Sequence, residues 1–132
     1  METLKHFTEK ELKCKGSGIY RLSPAVETYP GFGSRIDRLR EIWGKPLIVN
    51  SCCRSEEYNK LINGHPHSLH VADHPYWKTN GTCAIDFRET SKDFRDLAYK
   101  MGFSLGLGKT FTHVDDRTNV IGMAQTKFHY AD

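Results

Sequence analysis

Short strand-like runs at residues 47–51, 84–87 and 110–115 alternate with stretches of helical periodicity, and tight connections join them. That alternation constrains the fold more than any other feature. Tight connections suit antiparallel strands, whereas a doubly wound parallel sheet needs a long crossover between each pair. The expected fold class is therefore α+β: a small antiparallel sheet flanked by helices. The 132 residues contain no repeat, no low-complexity tract and no Pro/Gly/Ser linker, so the chain reads as one domain, residues 1–132.

The helical stretches carry their own boundaries. Thr8 and Glu11 form a capping box, with Phe7 and Leu12 placed for a hydrophobic staple, so a short helix begins at about Glu9 and stops before Gly16. Over residues 34–43, Ile36, Leu39, Ile42 and Trp43 make an apolar stripe opposite Arg35, Asp37, Arg38, Arg40 and Glu41, and Gly44 ends the helix. Ser55 caps a third helix that runs to about Ile62, and Thr90 or Ser91 caps a fourth with Phe94, Leu97, Ala98 and Met101 on one side. The glycine-punctuated residues 102–108 read as a connection. The segment after Asn119, with Val120, Ile121, Phe128 and Tyr130, adds a last strand or two.

Composition excludes several classes. Hydrophobic residues at 38% and charged residues at 27% belong to a chain that folds, and a net charge of +3 is too small for a dedicated nucleic-acid binder. No stretch approaches the roughly 18 apolar residues of a membrane span, and the first residues lack the apolar centre of a signal peptide. The expectation is a protein made in the cytoplasm without membrane insertion. Cys14, Cys52, Cys53 and Cys83 form no CxxC pair and read as buried, reduced thiols. Gly106-Leu107-Gly108-Lys109-Thr110 has the end of a phosphate-loop motif but not its first glycine, and a strand rather than a helix is expected after Lys109, which argues against nucleotide binding there.

The chemistry-bearing residues are His70, Asp86 and His113. Two imidazoles and one carboxylate are a donor set for a catalytic zinc ion, Zn2+, which takes three protein ligands and leaves a fourth position open. Asp115 shares a strand face with His113 at a spacing of two. Two roles stand open for it: accepting a proton from water at the metal, or orienting a ligand imidazole. Asp116 points to the opposite face, toward solvent.

A longer pattern surrounds these residues. Pro46-Leu47-Ile48-Val49-Asn50-Ser51-Cys52-Cys53-Arg54-Ser55, then Tyr58-Asn59, then His67-Ser68-Leu69-His70, together with the opening His6-Phe7-Thr8-Glu9-Lys10-Glu11-Leu12-Lys13-Cys14, resembles the M15 family of zinc D-Ala-D-Ala peptidases. The likeness is greatest to its short, single-domain branch of bacteriophages and prophages. The resemblance implies zinc ligands at His70, Asp86 and His113. It also implies a role for Arg54 in holding a substrate carboxylate or steadying the charge of the reaction, against the plainer reading of a structural pair with Glu57. Ser68 is then a contact to substrate or backbone.

Two departures from the family pattern stand out. The family's first His and its Asp lie seven residues apart, whereas His70 and Asp86 are sixteen apart, which places a nine-residue insertion at residues 73–81. Its Tyr76 and Trp77 are candidates for a substrate wall, or for packing on their own domain, and Asp73 becomes a rival ligand to Asp86. Some members carry Glu or Asp three residues before the second His as a base. Here that residue is Thr110.

The resemblance implies zinc-dependent hydrolysis of a peptide bond in the stem or cross-bridge of bacterial peptidoglycan, by a D-Ala-D-Ala carboxypeptidase or a cell-wall endopeptidase. Such a protein reaches the wall after release from the cell or as part of a phage particle, among phage components. The competing reading is a non-catalytic wall-binding or tail-associated domain that keeps the fold.

Overall fold

The computed structural model describes residues 3–130. Ten elements follow one another: α1 (Glu9–Leu12), α2 (Phe32–Trp43), β1 (Val49–Ser51), α3 (Glu56–Leu61), β2 (Ala84–Phe87), α4 (Lys92–Lys100), β3 (Ser104–Leu107), β4 (Thr112–Asp115), α5 (Arg117–Ile121) and β5 (Lys127–His129). The fold class is α+β, as the sequence implied. The five strands form one sheet in the order β1-β2-β4-β3-β5.

Local chemistry sets the helix ends. The Thr8–Glu11 capping box is formed, Ser55 accepts the amide proton of Tyr58, and Ser91 accepts that of Phe94. Gly44 ends α2 at φ 74°, a left-handed conformation in which a β-carbon would be strained.

The sheet differs from the all-antiparallel expectation at one edge. Pairs β1–β2, β2–β4 and β3–β4 are antiparallel, but β5 lies parallel to β3. The chain leaves β4, runs through α5 and passes β3 to reach its free edge. Residues 104–107 were expected to connect and instead form β3, because pairing on both sides and the full burial of Leu105 outweigh the weak strand preference of Ser-Leu-Gly-Leu. Residues 117–121 form a helix where a strand was expected, and only the second half of that segment joins the sheet.

One sheet face is the core. Ile85, Phe87, Leu105 and Val114 are fully buried there with Ile36 and Leu39 of α2 and Phe94 and Ala98 of α4. Phe94 joins three elements, meeting the edge of Trp43 at 5.3 Å and Phe87 at 5.7 Å. Arg35 of α2 lies 4.3 Å over the Phe103 ring and donates to the Met101 carbonyl at 2.6 Å and to Asp116 at 3.2 Å.

Asp116 is therefore not solvated. It is fully buried and also accepts the Tyr29 hydroxyl at 2.7 Å, because β4 ends at Asp115 and the turn into α5 swings the next side chain inward. All four cysteines are buried free thiols. Truncating Phe94→Ala removes the ring shared by α2, α4 and β2. The urea midpoint is expected to fall by the equivalent of about 3–5 kcal/mol at unchanged slope.

Candidate metal centre

The sheet face opposite the core carries the polar side chains, and register arranges them. Ser51 of β1 pairs with Asp86 of β2, Asp86 with His113 of β4, His113 with Gly106 of β3, and Gly106 with Phe128 of β5. One row thus crosses all five strands, with its side chains on one face. His70 comes from outside the sheet. Its segment is hydrogen-bonded across Arg54, whose N–H donates to the His70 carbonyl at 2.9 Å, and Thr82 donates its hydroxyl to the same carbonyl at 2.7 Å.

Asp86 Oδ1 is the meeting point. His70 Nε2 stands 3.1 Å from it and His113 Nδ1 3.0 Å, and all three residues are nearly buried. The three ligand atoms lie within 4.8 Å of one another, close enough to hold a metal ion. The far nitrogen of each ring is engaged. His70 Nδ1 donates to the Cys52 carbonyl at 2.7 Å, and His113 Nε2 donates to Asp115 at 2.8 Å.

Those far contacts decide the tautomers. A carbonyl oxygen only accepts, so the His70 proton sits on Nδ1 and its Nε2 turns a bare lone pair toward a carboxylate oxygen. Two acceptors at that distance repel unless a cation lies between them. The donor set therefore fits a metal, and two nitrogens with one carboxylate oxygen suit zinc.

Electrostatics agree with that reading. Burial pushes His70 below its ordinary value. Burial alone would also lower His113, but hydrogen bonds to Asp115 and Asp86 outweigh it and lift the ring to about 9. Burial would raise both carboxylates, yet Asp86 is held well below the usual carboxylate range by His70 and His113, and Asp115 at about 2 by His113 and Arg117. Without metal, a proton on His113 Nδ1 supplies the positive charge that Asp86 requires.

Of the candidates named from sequence, His70, Asp86 and His113 converge. Asp73 does not, since its carboxylate accepts the Glu56 amide proton at 2.8 Å at the start of α3. Asp115 is fully buried and turned to the far nitrogen of His113. Both its oxygens are occupied, Oδ1 by the Arg117 amide and Nε–H and Oδ2 by Arg117 Nη2–H at 2.7 Å. Proton transfer from water at the metal does not fit that geometry, and orienting His113 does. Thr110 is exposed and makes no base.

Arg54 donates Nε–H to Ser51 at 3.2 Å and Nη1–H to Asn59 at 3.2 Å, which leaves Nη2, 3.9 Å from Asp86, as the donor turned to the site. Glu57 is not its partner. Ser68 accepts the His70 amide proton and lines a cleft of about 430 Å³ that reaches His113, with His67, Trp77, Met123, Phe128 and Tyr130 among its walls. Trp77 joins that wall, held by its Nε1–H to the His67 carbonyl at 2.9 Å. Tyr76 stays outside the cleft, stacked 3.8 Å from the His67 ring, so the insertion splits the two aromatics between wall and support.

Sequence reasoning gave no role to Asn59, Arg117 or Tyr130. Asn59 is buried and links Arg54 to the His65 carbonyl. Arg117 was legible in principle, since a cation two residues past Asp115 is within reach of its carboxylate.

A family model described as Peptidase M15 matches residues 5–115, a span that holds Arg54, Ser68, all three converging ligands and Asp115. No curated protein and no solved structure matches the chain. With most of its length matched and the family's donor set brought to one point, the chain belongs to the peptidase M15 family.

Proposed function

We propose that this chain is a zinc-dependent peptidase that hydrolyses a peptide bond of bacterial peptidoglycan. The observation that carries the reading is the pair of imidazoles whose far nitrogens are pinned and whose near nitrogens meet Asp86 Oδ1. His70 Nε2, Asp86 Oδ1 and His113 Nδ1 would hold the ion. When bound, zinc supplies a Lewis acid that polarises the scissile carbonyl and makes water nucleophilic near neutral pH.

The chain's own residues do the rest. Asp115, itself gripped by Arg117, fixes the ring of His113 and raises its basicity as a ligand. Arg54 places positive charge beside Asp86, where charge develops on the carbonyl oxygen. Trp77 and Phe128 offer apolar walls that seat a peptide and exclude water.

The state of Arg54 favours a bond inside a peptide over one at its free end. Two of its five N–H donors are committed to Ser51 and Asn59 and its Nη2 faces Asp86, so a terminal carboxylate would have to compete with Asp86 for the remaining end of the fork. Zinc-loaded protein acting on purified peptidoglycan is expected to release peptide fragments with new amino termini. Free D-alanine as the main product, read by mass spectrometry, reverses that preference.

Exposed Thr110 and saturated Asp115 leave the family's base position empty, which favours the second reading, a wall-binding domain without turnover. Zinc content and amine release separate the two. His70→Ala and His113→Ala are expected to lose zinc and activity together, whereas Asp115→Asn keeps its fold and binds zinc about 10–100-fold more weakly. Stoichiometric zinc with no amine released by the unaltered protein selects the binding domain.

Zinc must displace the His113 proton. Because that ring titrates at about 9 without metal, each ion bound releases one proton below that pH. Apparent zinc affinity is expected to rise about tenfold per pH unit between about pH 6 and 8, measured by chelator competition. The sign for stability is opposite. The charged ring stabilises the metal-free fold fully below about pH 6.5 and stops doing so as the pH rises through about 9.

A further inference from the structure

The row across the sheet has a gap. At Gly106, between His113 and Phe128, an added β-carbon would stand 2.6 Å from the Tyr130 ring and 2.7 Å from the Phe128 ring. Both rings therefore lie against the bare backbone of β3, where no other residue lets them approach. Phe128 comes within 5.7 Å of His113 and Tyr130 within 6.5 Å, ring centre to ring centre. Tyr130 follows Phe128 by two residues and so emerges on the same face as the metal centre.

The Tyr130 ring is wedged between Phe111 at 5.0 Å and Phe128 at 5.4 Å, and its amide donates to the Leu107 carbonyl. Its hydroxyl has no hydrogen-bond partner among the described residues, and the side chain is 41% exposed, on the cleft that also contains His113. Tyr29 makes the contrast plain, since its hydroxyl is consumed by Asp116 in the interior. A ring packed on three sides, with its one polar atom left free beside the centre, is a preorganised donor. It lies beyond residues 5–115, outside the part of the chain that the family model matches.

We infer that Tyr130 is a catalytic residue whose hydroxyl donates a hydrogen bond to the carbonyl oxygen of the peptide bond being cleaved. The inference rests on the peptidase reading above. The phenol keeps its proton throughout and lends only a dipole to the oxygen as its charge grows. It flanks the centre on the β5 side while Arg54 flanks it on the β1 side, so a long-range cation and a short-range neutral donor face the same atom.

Tyr130→Phe removes the hydroxyl and keeps the ring between Phe111 and Phe128, so the fold survives the test. Two measurements on zinc-loaded protein decide it. Rates of amine release from solubilised peptidoglycan are expected to show kcat lowered about 100-fold with KM changed less than about threefold. Affinity for acetohydroxamate, a metal-seeking mimic of the charged carbonyl oxygen, is expected to fall about tenfold by calorimetry, with zinc stoichiometry and Tm unchanged. A wild-type value of either kcat or hydroxamate affinity in Tyr130→Phe overturns the assignment. If the unaltered protein binds zinc and hydroxamate but releases no amine, the peptidase reading fails, and the hydroxamate arm alone then decides whether Tyr130 donates at the metal.

Discussion

The bare lone pair of His70 aimed at a carboxylate oxygen is a repulsive arrangement that a folded protein keeps only when positive charge stands beside it, from the His113 proton or from a metal ion. The Cys52 carbonyl and the Asp115 carboxylate enforce it by holding the far nitrogens of His70 and His113. The rest of the molecule serves that conflict. Ser51 and Asn59 hold Arg54 beside Asp86, Thr82 and Arg54 anchor the backbone of His70, and Arg117 neutralises the acid behind His113. Burying so many charges is costly unless each is paired and hydrogen-bonded, and here each of them is.

The sheet converts sequence distance into atomic proximity. Asp86 and His113 are 27 residues apart in the chain, yet they become neighbours because β2 and β4 pair in a register that sets them opposite each other. A slip of one residue would turn both into the core and bring Ile85 and Val114 out. The apolar face therefore guards the polar one. The burial of Ile85, Phe87, Leu105 and Val114 selects the register, and the register assembles the centre.

Much of this was legible in the chain. The caps at Thr8, Ser55 and Ser91 and the stop at Gly44 follow from local chemistry and appear where expected. His70, Asp86 and His113, which the structure brings together, were singled out by their donor types and by the family resemblance, although the spacing of the first two departs from the family's. Hidden from sequence were the facts that depend on partners remote in the chain. Residues 104–107 look like a connection until both neighbouring strands are present, and Asp116 looks solvent-facing until Tyr29 and Arg35 reach it. The role of Asp115 turned on which nitrogen of His113 it meets, a matter of ring orientation that spacing does not encode.

The insertion at residues 73–81 is tied down rather than free. Trp77 is bonded to the His67 carbonyl, Tyr76 stacks on the His67 ring, and His74 accepts amide protons from Tyr76 and Trp77. A brim fastened in this way is ordered by contacts within the chain itself. The entropy of ordering it is lost once, when the chain folds, so whatever the cleft receives does not have to order it again.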